Sequence, residues 1–82
     1  MDKILVTVHV PYIEEQYDFL VPINIKASVA FTLIQKSICD YNDNYVFKEN
    51  VNAFDSYEGK LINQNNIVKF SGLKNGSHVM LI

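Results

Sequence analysis

Residues 3 to 10 read Lys-Ile-Leu-Val-Thr-Val-His-Val, and their alternation constrains the fold more than any other feature of the chain. Ile4, Val6, Val8 and Val10 fall on one side. Lys3, Leu5, Thr7 and His9 fall on the other. A period of two, rich in β-branched residues, predicts a strand buried on one face. Such a strand needs neighbouring strands and an apolar cover for its inner face. Pro11 ends it, because proline cannot donate to a central ladder.

The rest of the chain supplies both. Gln16 to Val21 predicts a second strand, with Tyr17, Phe19 and Val21 alternating against Asp18 and Leu20. The short link through Glu14 and Glu15 makes the pair an antiparallel hairpin. Pro22 closes it. Residues 29–41 predict a helix, with Ser28 as N-cap. On a helical wheel Ala30, Ile34, Ser37 and Tyr41 form the centre of the apolar face. Val29 and Leu33 flank one side, Phe31 and Ile38 the other. The apolar arc spans roughly 200°, wider than the ~100° a surface helix requires. Either loops cover both flanks or one flank meets a partner.

Asp40 to Asn44 ends the helix. Its spacing imitates the start of a calcium loop, but Tyr45 and Val51 occupy the positions where such a loop needs Gly and Glu. A third strand is predicted over Val51 to Asp55, then a turn at Gly59, then a short return strand at Leu61-Ile62. Ile67 to Phe70 reads as one helical turn. Asn75-Gly76 leads into a last strand from His78 to Ile82. That strand is too apolar to sit safely at a sheet edge, so it is expected between the first and third strands. The order predicts an α+β fold: a mixed sheet of four to five strands, with one main helix packed on one face.

Composition narrows the function. Eighty-two residues allow one domain, spanning 1–82. Seven cationic residues, all Lys, oppose nine Asp and Glu, for a net charge of -2. With no Arg to grip phosphate or guanine, nucleic acid is not an expected partner. Cys39 is alone, so neither an intrachain disulfide nor a multi-cysteine metal site is expected. No Ser/His/Asp or Cys/His set is recognisable, so no catalytic residue, cofactor or metal is assigned and the chain is not expected to be an enzyme. Apolar runs of four or five residues are too short for membrane insertion, and no signal peptide is visible. A cytoplasmic protein is the expectation.

The second half of the chain resembles ubiquitin-like β-grasp domains. Gly59-Lys60 matches a Gly-Lys turn of ubiquitin. Ile62, Val68 and Leu73 fall on its core positions, Gly76-Ser77 precede the last strand, and Val79 and Leu81 point inward. Val21-Pro22 resembles the exit of its second strand. The sequence departs from the conjugated modifiers and sulfur carriers of this fold, because it stops at Ile82 inside the predicted strand without a Gly-Gly tail. It looks most like the small bacterial ubiquitin-like proteins of the YukD/EsaB kind. The resembling features are its size, the Tyr17-Asp18-Phe19 strand, and the ending Gly72-Leu73-Lys74-Asn75-Gly76-Ser77 with Val79 to Ile82. Those proteins accompany type VII secretion in Gram-positive bacteria. The resemblance implies an accessory or regulatory binding protein, peripheral to membrane components of a secretion machine, and a homo-oligomer is compatible with it. The alternatives are a carrier or modifier with a truncated tail, and a nucleic-acid-binding β-grasp module.

If the helix covers one sheet face, the other is the expected partner surface. Leu5, Leu20, Phe54, Met80 and Ile82 are its candidate residues. Leu5, Phe54, Met80 and Ile82 are expected to form one apolar patch.

Overall fold

The computed structural model describes residues 2–43 and 45–82. The elements are β1 (Lys3–Val10), β2 (Glu15–Pro22), α1 (Ala27–Tyr41), β3 (Ala53–Asp55) and β4 (Ser77–Leu81). Short 3-10 turns lie at Pro11–Ile13 and Val68–Phe70. The sheet order is β2-β1-β4-β3. β4 runs parallel to β1, and the other two pairings are antiparallel. The apolar last strand thus lies between β1 and β3, as its sequence requires. This is the ubiquitin-like β-grasp arrangement.

One cluster holds the fold together. Ile4, Val6, Val8 and Val10 are buried, as the alternation of β1 predicts, and Val79 and Leu81 bury the same face of β4. Ile62, Val68 and Leu73 are buried too, so all three positions matched to ubiquitin's core lie in the core here. Between β1 and β2 the chain turns through Pro11–Ile13 and leaves by Glu14 at φ 53, a left-handed conformation that is rare outside glycine.

The helix differs from its sequence pattern in two ways. It begins at Ala27 rather than after Ser28, and no side chain caps it. Its first free N–H groups are satisfied from a distant loop instead. Ala27 N donates to Asn66 O at 2.9 Å and Ser28 N to Gln64 O at 3.0 Å. Both bonds meet the need a Ser cap would have met. The buried face is also rotated. It comprises Ala27, Ala30, Phe31, Ile34 and Ile38, while Tyr41 is 75% exposed. Burying Phe31 and Ile38 removes more apolar surface than burying Ser37 and Tyr41, and leaves both hydroxyls near water. The opposite flank, Val29 and Leu33, remains exposed.

β3 is shorter than predicted. Leu61 makes only an isolated bridge to Phe54, so among the described residues the sheet has four strands, within the four to five expected. The helix runs through Tyr41 and ends where Asn42 N donates to Ile38 O. Of the predicted breaker segment Asp40 to Asn44, the last residue lies outside the described residues.

Candidate functional site

The helix covers one sheet face, and the strand registers order the side chains of the other into rows. At one end Leu5 lies opposite Leu20. In the middle Asp18, Thr7 and His78 lie side by side on β2, β1 and β4. The next row runs Gln16, His9, Met80, Phe54 and Leu61. Beyond it Asn52 and Ile82 exchange two backbone hydrogen bonds of 3.0 Å.

These rows divide the expected patch. Phe54 and Met80 are directly opposed, and Ile82 follows two residues after Met80 on the same face. Leu61 extends the row and is 61% exposed. Leu5 is not among them. It aligns one residue before Val6, the partner of Ser77, whereas Met80 aligns with His9. Four residues of strand, about 13 Å, separate the two ends. The expectation of one patch containing Leu5, Phe54, Met80 and Ile82 therefore gives way to two clusters: Leu5 with Leu20, and Phe54, Met80, Leu61 and Ile82. β4 is parallel to β1 and offset along it, so its C-terminal end meets the far end of β1.

The band between the clusters is polar and internally paired. Thr7 Oγ1 donates to Asp18 Oδ1 at 2.7 Å, which accounts for a Thr buried to 8% exposure on an open face. His9 Nε2 and His78 Nδ1 lie 3.0 Å apart with the rings stacked at 5.3 Å. One ring must donate and the other accept, so the contact requires at least one neutral imidazole. Tyr57, largely exposed, meets His78 edge-on at 5.3 Å. Beside this pair, a hollow of about 380 Å³ is lined by His9, Met80 and Ser56. The Ser56 hydroxyl is buried without a hydrogen-bond partner among the described residues.

Sequence reasoning missed Leu61, Tyr57 and the histidine pair. Leu61 sits in a segment read as a return strand, and its side was not assigned. The alternation of β1 did place His9 outward, but the contact with His78 needs the parallel register.

A second cleft, of about 660 Å³, opens where β4 ends. Tyr12, Tyr45, Val46, Phe47, Val51 and Ile82 line it. Tyr45 packs edge-on to Phe47 at 4.8 Å. Burial raises the Tyr45 phenol from its ordinary value, and negative charge at Cys39 and Tyr12 adds to the effect. Among the described residues, no three His, Cys, Asp or Glu side chains converge on a metal position, and no helix is long and apolar enough to cross a membrane.

No family model and no curated protein matches the chain. Solved structures do match it. One, described as molecular mimicry of SUMO that promotes DNA repair, has a TM-score of 0.71 at 16% identity, covering 100% of this chain and 92% of that one. The ubiquitin-like domain of yeast Ddi1 has a TM-score of 0.64 at 15% identity, covering 99% and 88%. A chain of a toluene 4-monooxygenase complex has a TM-score of 0.67 at 10% identity, covering 96% and 95%. At these identities the likeness shows the fold, which is the ubiquitin-like β-grasp. The third match shows that the same fold also occurs in an enzyme complex, so function has to be argued from the surface.

Proposed function

We propose that this chain is a non-covalent protein-interaction module that docks a partner through the open face of its sheet. The observation that carries this reading is the contiguous row Met80, Phe54 and Leu61, continued by Ile82, on the face the helix leaves uncovered. Methionine adapts to varied partner shapes, and an aromatic beside it supplies a large apolar area. The histidine pair and Tyr57 give the cluster a polar rim, as protein interfaces commonly have. Leu5 and Leu20 form a separate, smaller contact at the other end. The proposal assigns the chain no catalysis and no cofactor.

We further propose an accessory role at a Gram-positive type VII secretion system, on the cytoplasmic side and peripheral to its membrane components. What supports this is the sequence resemblance of Tyr17-Asp18-Phe19 and of the ending from Gly72 to the YukD/EsaB kind.

The test is capture of partners from the native host by wild type and by Met80→Asp and Phe54→Asp. Both positions are partly exposed, so each variant is expected to fold and to lose at least roughly tenfold in affinity. Full retention of every partner by both variants would place docking elsewhere. An intact mass showing a C-terminal extension in the native protein would favour a carrier instead, and retention on DNA or RNA at low salt would favour a nucleic-acid module.

A further inference from the structure

The polar band between the two apolar clusters holds both histidines of the chain, and the parallel register brings them together. His9 is an outward residue of β1 paired with Met80, and His78 is an outward residue of β4 paired with Thr7. Both are half-buried. His9 Nε2 and His78 Nδ1 face each other at 3.0 Å. The neighbouring loop is fixed against them. Ser56 N donates to His78 O at 2.9 Å, and Tyr57, whose N donates to Asp55 Oδ1 at 2.8 Å, packs edge-on against the His78 ring.

A hydrogen bond between the two rings uses one lone pair and one proton. Moving that proton to the other nitrogen of its own ring leaves two lone pairs converging on one point, as a chelating pair requires. The separation selects the ion. With metal–nitrogen bonds of about 2.0–2.1 Å, two nitrogens 3.0 Å apart subtend about 95° at the metal. A tetrahedral ion would spread them to about 3.3–3.4 Å. A near-right angle is how a tetragonal ion holds neighbouring ligands. That geometry belongs to Cu(II) and Ni(II), and Cu(II) binds nitrogen donors the more strongly of the two. The space beside the pair suits the rest of the shell. The hollow of about 380 Å³ reaches His9, and Glu14 and Glu15 line it while no Lys does, so a cation there meets negative charge. The buried Ser56 hydroxyl lines the same hollow and has no hydrogen-bond partner among the described residues. A metal-bound water in the hollow supplies one.

We propose that His9 and His78 form a bidentate Cu(II) site on the open face of the sheet, bound through His9 Nε2 and His78 Nδ1 and completed by water. Two protein side chains rather than three or four hold the ion, so the site is open and the metal exchanges with solvent. The two ligands lie 69 residues apart in sequence and meet only when β4 has paired with β1. The unfolded chain therefore has no such chelate, and the bound ion ties the two strands together. The site is independent of which partner docks on the open face.

The test is titration of the metal-free protein with Cu(II) at about pH 7.5, where free imidazole is neutral. A Cys39→Ser parent removes the competing thiol. One equivalent binds with a Kd of about 1–10 µM. The amide NMR signals around His9 and His78 broaden first, and the electron paramagnetic resonance spectrum is tetragonal with two nitrogen ligands. His9→Gln and His78→Gln each weaken binding by at least roughly tenfold and lose one nitrogen, because a single ring gains nothing from the other's proximity. Both positions are half-buried and Gln keeps their polarity, so a dispersed amide spectrum is expected of each variant. Saturating Cu(II) raises the urea midpoint of the parent and leaves that of either variant unchanged. The proposal fails if no saturable binding occurs below about 100 µM Cu(II), or if either variant binds as tightly as the parent. Broadening centred on Asp2 and Lys3 that spares His9 and His78 would assign the ion to the chain's amino terminus and overturn it. Tighter binding of Zn(II) than of Cu(II) would mean that the pair opens to a tetrahedral ion, and equally overturns the assignment.

Discussion

The two edges of the sheet are finished in opposite ways. On β3 the outward backbone groups are taken: Asp55 N donates to Lys60 O at 2.8 Å, and Ile62 N donates to Ala53 O at 2.8 Å. The strand is three residues long and its edge is closed by the segment that follows it. On β2 the groups of Gln16, Asp18 and Leu20, which alternate with those bonded to β1, have no partner among the described residues along a strand of eight. Proteins commonly shorten, cover or charge an edge to prevent unwanted pairing. Here one edge is both short and covered, and the other is left long, with only the acidic side chains of Glu15 and Asp18 and a terminal Pro22 to guard it. The contrast teaches that the fold can close an edge with local chain and has done so only on one side. The same asymmetry runs through the helix, whose Phe31 flank is core and whose Leu33 flank is solvent.

The largest expected effect tests the helix. Phe31→Ala should lower stability by about 3–5 kcal/mol, since Phe31 is 1% exposed and among the largest fully buried side chains. A domain of this length holds about 4–12 kcal/mol in total, so the variant should be largely unfolded or close to it. Leu33→Ala should change stability by less than about 0.5 kcal/mol. Urea unfolding of the pair decides it. Comparable losses would mean that both flanks are core.

Proline at matched positions tests the edges directly. Asp55→Pro removes the donor to Lys60 and the carboxylate that accepts from Tyr57 N at 2.8 Å and Glu58 N at 2.9 Å. Losing these bonds should cost about 3 kcal/mol. Leu20→Pro removes an N–H that has no partner among the described residues and should cost less than about 1 kcal/mol. Equal costs would erase the distinction between a covered and a bare edge.

Thr7→Val asks what holds β2 to β1 on the open face. It keeps shape and removes the donor to Asp18, leaving a carboxylate short of one bond. The expected loss is about 1 kcal/mol. Asp18→Asn, which preserves an acceptor, should lose less. If Thr7→Val is neutral in urea unfolding, the 2.7 Å contact contributes nothing to the pairing.

How much of this was legible in the sequence depends on the range of the contact involved. β1, the helix and the final strand declare themselves because periodicity is a local property, and Val79-Met80-Leu81-Ile82 could be assigned a central position from apolarity alone. The cap of α1 was not legible, because Ser28 is a plausible local cap and the carbonyls that do the work, at Gln64 and Asn66, lie over thirty residues away. The orientation of the helix was misread by part of a turn, because a wheel weighs Tyr41 as apolar while the structure leaves it exposed and stacked on Tyr17 at 5.9 Å. Each residue of the candidate patch is placed on the open face, but their grouping depends on the offset between parallel strands. Nothing in the residues at 5 or 80 encodes that offset. The bare edge could have been suspected from an eight-residue alternation ending in proline, yet identifying it as an edge needed the strand order.

The smallest expected effect concerns the covered side. Tyr45 lines the cleft at the end of β4, next to Val51 and Ile82, where the Asn52–Ile82 bonds hold the start of β3. Burial, followed by negative charge at Cys39 and Tyr12, raises its phenol above the ordinary value of 10.0. In the unfolded chain the proton leaves near that ordinary value, while the folded protein retains it to higher pH. Above pH 10 the unfolded state therefore binds fewer protons, and stability falls as pH rises. The contribution is whole below the unfolded value and is lost as pH climbs through the folded one. Urea unfolding from about pH 9 to about pH 11 should show this decline in wild type and a shallower one in Tyr45→Phe, which keeps the ring against Phe47 and has no proton to lose. Leu33→Gln, on the bare side, should keep the wild-type slope. A Tyr45→Phe profile parallel to wild type would mean that the phenol is as free as in the unfolded chain, and that the loop behind β3 is less closed than its aromatic packing implies.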